Sequence, residues 1–278
     1  KPLDNGQHVL IGAYRDTLEL MRTVGLNPDA LLQRFPLDLR YADGQGLSLP
    51  DWPMPFNLLA GIARAQGWRM QDKASLIQAA WGWQRAQFEC PPSLTVAALC
   101  EVSALSPRVM QQLIEPLCLS ALNTPMREAS ATVFLRVLHD ALLGGAGSAD
   151  LLMPCVDLGA LLPEACLQWL GKKGAHIQIG TRISAARVDE LLSTDQTVLL
   201  ACPPWEAARL TAEVAPKWAY ACAELSHTAI ATVYLHCKDE DFKGLSRPML
   251  ALHSSSTAPA QFVFDKGALS AQHGLLAA

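Results

Sequence analysis

Apolar residues recur at helical spacing early in the chain. Over residues 13–24, Tyr14, Leu18 and Met21 share one helix face, and Gly25 stops the run. Asn27-Pro28 reads as an N-cap followed by the first helical residue, which predicts a short helix through about Phe35. LDLRYADGQGLSLP alternates around a Gly-rich turn and predicts a β-hairpin from Leu37 to Leu49. A long helical region follows, from about Phe56 to Leu143. Asp72 is placed to cap KASLIQAAWGWQRAQF, Pro91-Pro92 break the chain, Ser106-Pro107 form another cap pair, and Ser130 starts ATVFLRVLHDALL. In that last helix Val133, Phe134, Val137, Leu138, Ala141 and Leu142 make one apolar stripe. Arg136 and Asp140 lie one turn apart on its other side.

The period changes after the Gly-rich stretch 144–148. LGALLPEACLQWLGKKG predicts a helix ending at Gly174, and AHIQIGTRISAARV and TVLLACPPWEAARL then give the order strand, strand, strand, helix. TVLLA is a short continuous apolar run, the pattern of a strand buried on both faces. From Thr228 to Cys237 the residues alternate, and MLALH and QFVFD predict further strands. A helical block and antiparallel-type strands are thus interrupted by an α/β piece. That order suits two domains whose segments interleave.

Composition narrows the class. Half of the 278 residues are hydrophobic and 17% are charged, enough for a large core. The net charge of −4 gives no reason to expect a nucleic-acid partner, and no basic patch stands out. No apolar run is long enough to span a bilayer, and the first residues lack the apolar core of a signal peptide. Eight cysteines occur without a C-x-x-C pair, and they read as free, mostly buried thiols of a reducing compartment. The histidines show no metal-ligand spacing, so no metal is expected.

Motifs alone leave the chemistry open. GGAGSAD at 144–150 mimics a dinucleotide loop in part, but Asp150 stands where the third glycine belongs and a helix precedes it. A flexible or substrate-facing loop is the other reading. Pro203-Pro204 after TVLLAC either finishes a cofactor-binding sheet or merely stops a strand and starts a helix. Asp140, Asp150 and Asp157 are the carboxylates nearest the Gly-rich loop and are candidate acids. Against this, Asp140 is placed to pair with Arg136, and Asp157 to cap a helix.

Residues 116–170 are more specific. Asn123-Thr124-Pro125, Ser130-Ala131, Phe134-Leu135-Arg136, Asp150-Leu151-Leu152-x-Pro154 and Leu162-Pro163 resemble motifs of the squalene-associated flavin desaturases, the hydroxysqualene dehydroxylase family. That family lies within the flavin amine oxidase and phytoene desaturase superfamily. LDNGQHVLIGAYRDTLELMR, ACPPWEAARL and APAQFVFDKGALSAQHGLLAA are similar to it too, so the resemblance covers essentially the whole chain. It implies a mixed α+β and α/β architecture, a two-domain flavin amine oxidase-like fold. An incomplete FAD-binding domain (1–35 and 157–212) would accompany a helical and antiparallel-sheet substrate domain (36–156 and 213–278). In the family a strand–G-x-G-x-x-G–helix unit precedes the segment matching LDNGQH, and a Gly-Asp segment follows the one matching GLLAA. Neither is in this sequence, and the stretch between Val188 and Thr197 is shorter than the hairpin expected there. The chain is therefore expected to be a fragment without flavin, to be checked by its absorbance.

The implied activity of the full-length protein is FAD-dependent, reductive dehydroxylation of hydroxysqualene to squalene. A carotenoid desaturase or amine oxidase relative is the alternative within this chemistry, and a non-enzymatic isoprenoid-binding module is the alternative outside it. By carry-over, Gly6, Gln7 and His8 would face the isoalloxazine. Arg182 and Ile183 would lie at the adenine, and Pro203, Pro204 and Trp205 near the dinucleotide. Asn123, Arg136, Asp140 and Asp150 are the candidates for substrate and catalysis, with Asp150 as the acid. The implied partner is an isoprenoid lipid, and the implied location is the cytoplasm with peripheral contact at the inner membrane.

Overall fold

A computed structural model describes residues 3–194, 196–238, 241–255 and 257–278. The chain divides into two compact units, Lys1–Trp169 with Ile230–Ala278, and Leu170–Ala229. The division falls at 170 and 229, and it is a different partition from the expected cofactor and substrate domains, 1–35 with 157–212 and 36–156 with 213–278. It reflects compactness and does not say which segments meet a cofactor.

The first unit begins with β1 (Leu10–Ile11) and α1 (Arg15–Thr23), which buries Leu18 and Met21 as their spacing requires. Asn27 caps α2 (Pro28–Leu31) through its side chain, at 3.1 Å from the Asp29 amide. The helix does not run on to Phe35. Leu32–Phe35 is strand β2, because a neighbouring strand pairs with it along its whole length. The predicted hairpin forms as β3 (Asp38–Arg40) and β4 (Gly46–Ser48). Gly46 sits at φ +111, where a side chain would meet the Leu39 carbonyl.

The helical block comprises α3 (Phe56–Arg64), α4 (Met70–Arg85), α5 (Val96–Val102), α6 (Pro107–Val109), α7 (Glu115–Leu122) and α8 (Ala131–Leu143), with a π-helical turn at Met110–Ile114. Asp72 is the third residue of α4 rather than its cap, and its carboxylate reaches back 2.8 Å to accept from the Arg69 amide. The Ser106 hydroxyl, the Arg69 amide and the Arg108 charge hold this carboxyl below its usual range, against the opposing effect of burial. Ser106 and Ser130 cap α6 and α8 as their positions predict. The buried face of α8 is narrower than its sequence stripe. Ala131, Phe134 and Leu135 are buried, while Val133 is half exposed.

After α8 come β5 (Leu151–Pro154), α9 (Leu158–Leu161) and α10 (Pro163–Lys172), so the helix expected from Leu158 is split before Pro163. β5 is the middle strand of an antiparallel sheet, β1-β5-β2, with Leu10 opposite Leu152 and Phe35 opposite Leu151.

The second unit is helical among its described residues: α11 (Ala185–Ser193), α12 (Pro204–Thr211) and α13 (Pro216–Ala223), in addition to the end of α10. The strands expected in 175–183 and 197–201 are not formed. Ser184 caps α11, which turns the end of AHIQIGTRISAARV into helix. TVLLA has no strand beside it among the described residues, and Leu199 is 89% exposed rather than buried on both sides.

The chain returns to the first unit with β6 (Tyr234–His236), β7 (Met249–Ala251), β8 (Phe262–Asp265), α14 (Lys266–Ser270) and β9 (Leu275–Ala277). These strands form an antiparallel sheet in the order β6-β9-β8-β7. The alternation expected from Thr228 yields strand only near its end, with Val233 and Ala278 exchanging both backbone hydrogen bonds just before β6. One core joins the three sheets and the helical block, with Leu47, Ile62, Val96, Phe134, Leu151, Met249 and Ala277 among its members. The mixed helical and antiparallel-sheet architecture is the one expected.

Candidate functional site

Two polar places in the first unit gather candidate residues. At the first, Leu3–His8 lies beside β6 and α14. Tyr234 Oη donates to the Asp4 carbonyl at 3.0 Å, Asp4 Oδ1 accepts from the Leu158 amide at 2.9 Å, and Lys266 Nζ donates to Gln7 Oε1 at 3.2 Å. Burial, and then the charge of Asp4, push the Tyr234 phenol up. Gly6 adopts φ +115, a conformation a side chain rarely takes, and His8 Nε2 and Thr232 Oγ1 flank its bare Cα. Gly6, Gln7 and His8 are thus held together.

At the second place the Gly-rich loop closes against β1. The Gly12 amide donates to the Asp150 carbonyl and the Ala13 amide to the Ser148 carbonyl, both at 2.9 Å. A methyl group on Gly12 would overlap the Gly147 carbonyl oxygen, so glycine is required for this approach. Arg34 Nη1 lies 3.0 Å from Asp150 Oδ2 and 3.1 Å from the Gly147 carbonyl. Asp150 therefore tethers the Gly-rich loop to Arg34.

The other acid and substrate candidates stand apart from it. Arg136 and Asp140 form an i,i+4 pair at 2.8 Å on an exposed face of α8, and His139 Nδ1 lies 3.0 Å from the same carboxylate. The Arg136 guanidinium, then His139, holds the Asp140 carboxyl below its usual range. Asn123 takes the left-handed conformation, φ 49, that ends α7. Asp157 caps α9 through the Ala160 amide, as its alternative reading had it.

In the second unit Arg182 Nη2 lies 2.9 Å from Glu206 Oε1, and Arg209 binds both Glu206 and the Ile183 carbonyl. Pro203 and Pro204 start α12, and Trp205 meets His227 edge to face at 4.6 Å. Arg182 and Arg209 thus converge on Glu206, and Arg209 ties the Ile183 backbone to the same group. The eight cysteines are unpaired, but only Cys100 and Cys118 are buried, fewer than expected. Burial pushes those two thiols up to about 12 and about 11.

The sequence did not single out Arg34, Thr232, Tyr234, Glu206, Arg209 or Lys266. Of these, Lys266 had a usable signal, since a lysine directly after the apolar strand QFVFD is placed to start buried.

The family model for flavin containing amine oxidoreductases matches residues 1–276, and the chain belongs to that family. Curated relatives narrow the likeness. The hydroxysqualene dehydroxylase of Rhodopseudomonas palustris is 26% identical over 75% of this chain and 51% of its own length, and that of Zymomonas mobilis is 20% identical over 76% and 53%. That of Sinorhizobium fredii is 30% identical over 36% of this chain and 27% of its own length. The chain spans about half the length of the first two. Among solved structures, reduced UDP-galactopyranose mutase aligns with 98% of this chain and 62% of its own, at 12% identity and a TM-score of 0.47.

Proposed function

We propose that this chain belongs to an FAD-dependent oxidoreductase that removes the hydroxyl of hydroxysqualene reductively and yields squalene. The observation that carries this reading is the shared name of three curated relatives, found on a chain whose family match runs from residue 1 to residue 276. One arrangement of residues supports the flavin reading. Among the described residues, the side-chain acceptor given to the buried Lys266 Nζ is the neutral Gln7 Oε1, next to Gly6. Gly6, Gln7, His8 and Lys266 would hold the ring, while Arg182, Ile183, Pro203, Pro204 and Trp205 are dinucleotide contacts by resemblance alone. When bound and reduced, the flavin supplies a hydride.

The chain's part is to bind the isoprenoid, exclude water and deliver a proton. The C–O bond breaks, the oxygen leaves as water with one added proton, and the carbon receives the hydride. Asp150 is the proposed source of that proton: substrate displaces the Arg34 guanidinium, the freed carboxylate takes up a proton from solvent, and it passes that proton to the leaving oxygen. Asn123, Arg136 and Asp140 are retained as substrate contacts. Burying each CH₂ of the isoprenoid stabilises binding by about 0.8 kcal/mol. Among the described residues no helix is long and apolar enough to cross a membrane. The exposed face of α4, with Ile77 and Trp81 beside Arg85, supports peripheral contact with the lipid that dissolves the substrate.

The test uses the full gene product, FAD, a reductant and hydroxysqualene, with product analysis. Squalene is expected, and a flavin-loaded protein that forms none overturns the proposal. Asp150→Asn should lower kcat by about 10²–10⁴-fold, the usual contribution of a positioned acid. An unchanged rate removes Asp150 from the role.

A further inference from the structure

Lys266 is the first residue of α14 and is 3% exposed. A buried ammonium is costly unless acceptors surround it. Its neighbour Asp265 is not one of them. Asp265 Oδ1 accepts from the amides of Gly267 and Ala268 at 2.8 and 3.1 Å, and Oδ2 accepts from the Leu245 amide at 2.7 Å. Among the described residues, the side-chain acceptor given to Lys266 Nζ is Gln7 Oε1, at 3.2 Å.

This pairing dictates how the carboxamide is turned. An ammonium has donors only, so the Gln7 atom facing it must be the oxygen. The Gln7 NH₂ group is then directed away from Lys266, and no described residue accepts from it. Gln7 is half-buried, next to a glycine whose backbone carries no side chain. The ammonium behind the amide polarises it and strengthens its outward donors. We infer that Lys266 is a positioning residue that fixes Gln7 as a hydrogen-bond donor toward an acceptor-rich ring, which, resting on the function proposed above, is the flavin. The positive charge also favours a ring that gains electron density on reduction.

The full gene product, with FAD as the probe, tests this through two variants and three readouts: apoprotein stability, FAD affinity and flavin midpoint potential. Lys266→Met removes the charge and keeps an apolar stem of similar length. It should leave the apoprotein as stable or more stable, weaken FAD by about tenfold or more, and lower the midpoint potential. Gln7→Glu turns the contact into an ion pair but removes the NH₂ donors. It should keep the apoprotein stable and still weaken FAD by about tenfold or more. If the parent binds FAD and both variants match its affinity within about twofold and leave its potential unchanged, the inference fails and the flavoprotein reading stands. If Lys266→Met does not fold, the lysine is a structural residue, and an unchanged FAD affinity in Gln7→Glu then overturns the inference. A full gene product that binds no FAD overturns both.

Discussion

Two equally apolar runs in this chain meet opposite fates. LLMP, Leu151–Pro154, is buried at every position as β5, with β1 on one side and β2 on the other. TVLLA, residues 197–201, forms no strand and leaves Leu199 exposed. The local signal is the same, or stronger in TVLLA with its β-branched residues. What differs is the supply of neighbours. An isolated strand leaves its amides and carbonyls to water and gains no buried face, so a continuous apolar run becomes a strand only where other strands arrive to pair with it.

Substitutions can break this contrast. Leu152→Ala, at a fully buried position paired with Leu10 and Arg34, should cost about 2–5 kcal/mol in chemical denaturation. A loss below about 1 kcal/mol would mean that β5 does not hold its sheet together. Arg34→Met removes the half-exposed pair with Asp150 while leaving the strand pairing intact, and should cost at most about 1 kcal/mol. A larger loss would shift the credit for this region from the strands to the ion pair. Leu199→Ala should change stability by no more than about 0.5 kcal/mol. Hydrogen exchange sharpens the same point, because amides 198–201 should exchange far faster than those of 151–153. Slow exchange at 198–201 would reveal a pairing partner for TVLLA.

The same contrast explains which parts of the fold were legible. Helix starts were readable because their cause is local. Asn27, Ser106 and Ser130 cap the helices their positions announce, through their own side chains. The 38–48 hairpin was readable because its turn is local too. Failures came where distant residues decide. Leu32–Phe35 left the helical pattern because β5, more than a hundred residues later, pairs with it. Val133 lies in an apolar stripe yet faces outward, because the neighbours of α8 cover only its Ala131, Phe134 and Leu135 side. At the candidate site, Gly6, Gln7 and His8 could be named from resemblance. The burial of Lys266 had a local signal, but its pairing with Gln7 had none, since 259 positions separate them and no periodicity connects a lysine to a glutamine at that range.

The register of β2 against β5 also sets an order in time. Phe35 lies opposite Leu151, so the strands can pair only after the 115 intervening residues, 36–150, have been brought round into a closed loop. The entropic cost of closure grows slowly with length, but it must be met before the sheet returns any contact energy. Helices α3 to α8 need no such closure to begin forming. As the chain leaves a ribosome, the helical block can start to collapse while β1 and β2 wait at its entrance. The arrival of Leu151–Pro154 then completes the sheet and draws the Gly-rich loop down onto Gly12.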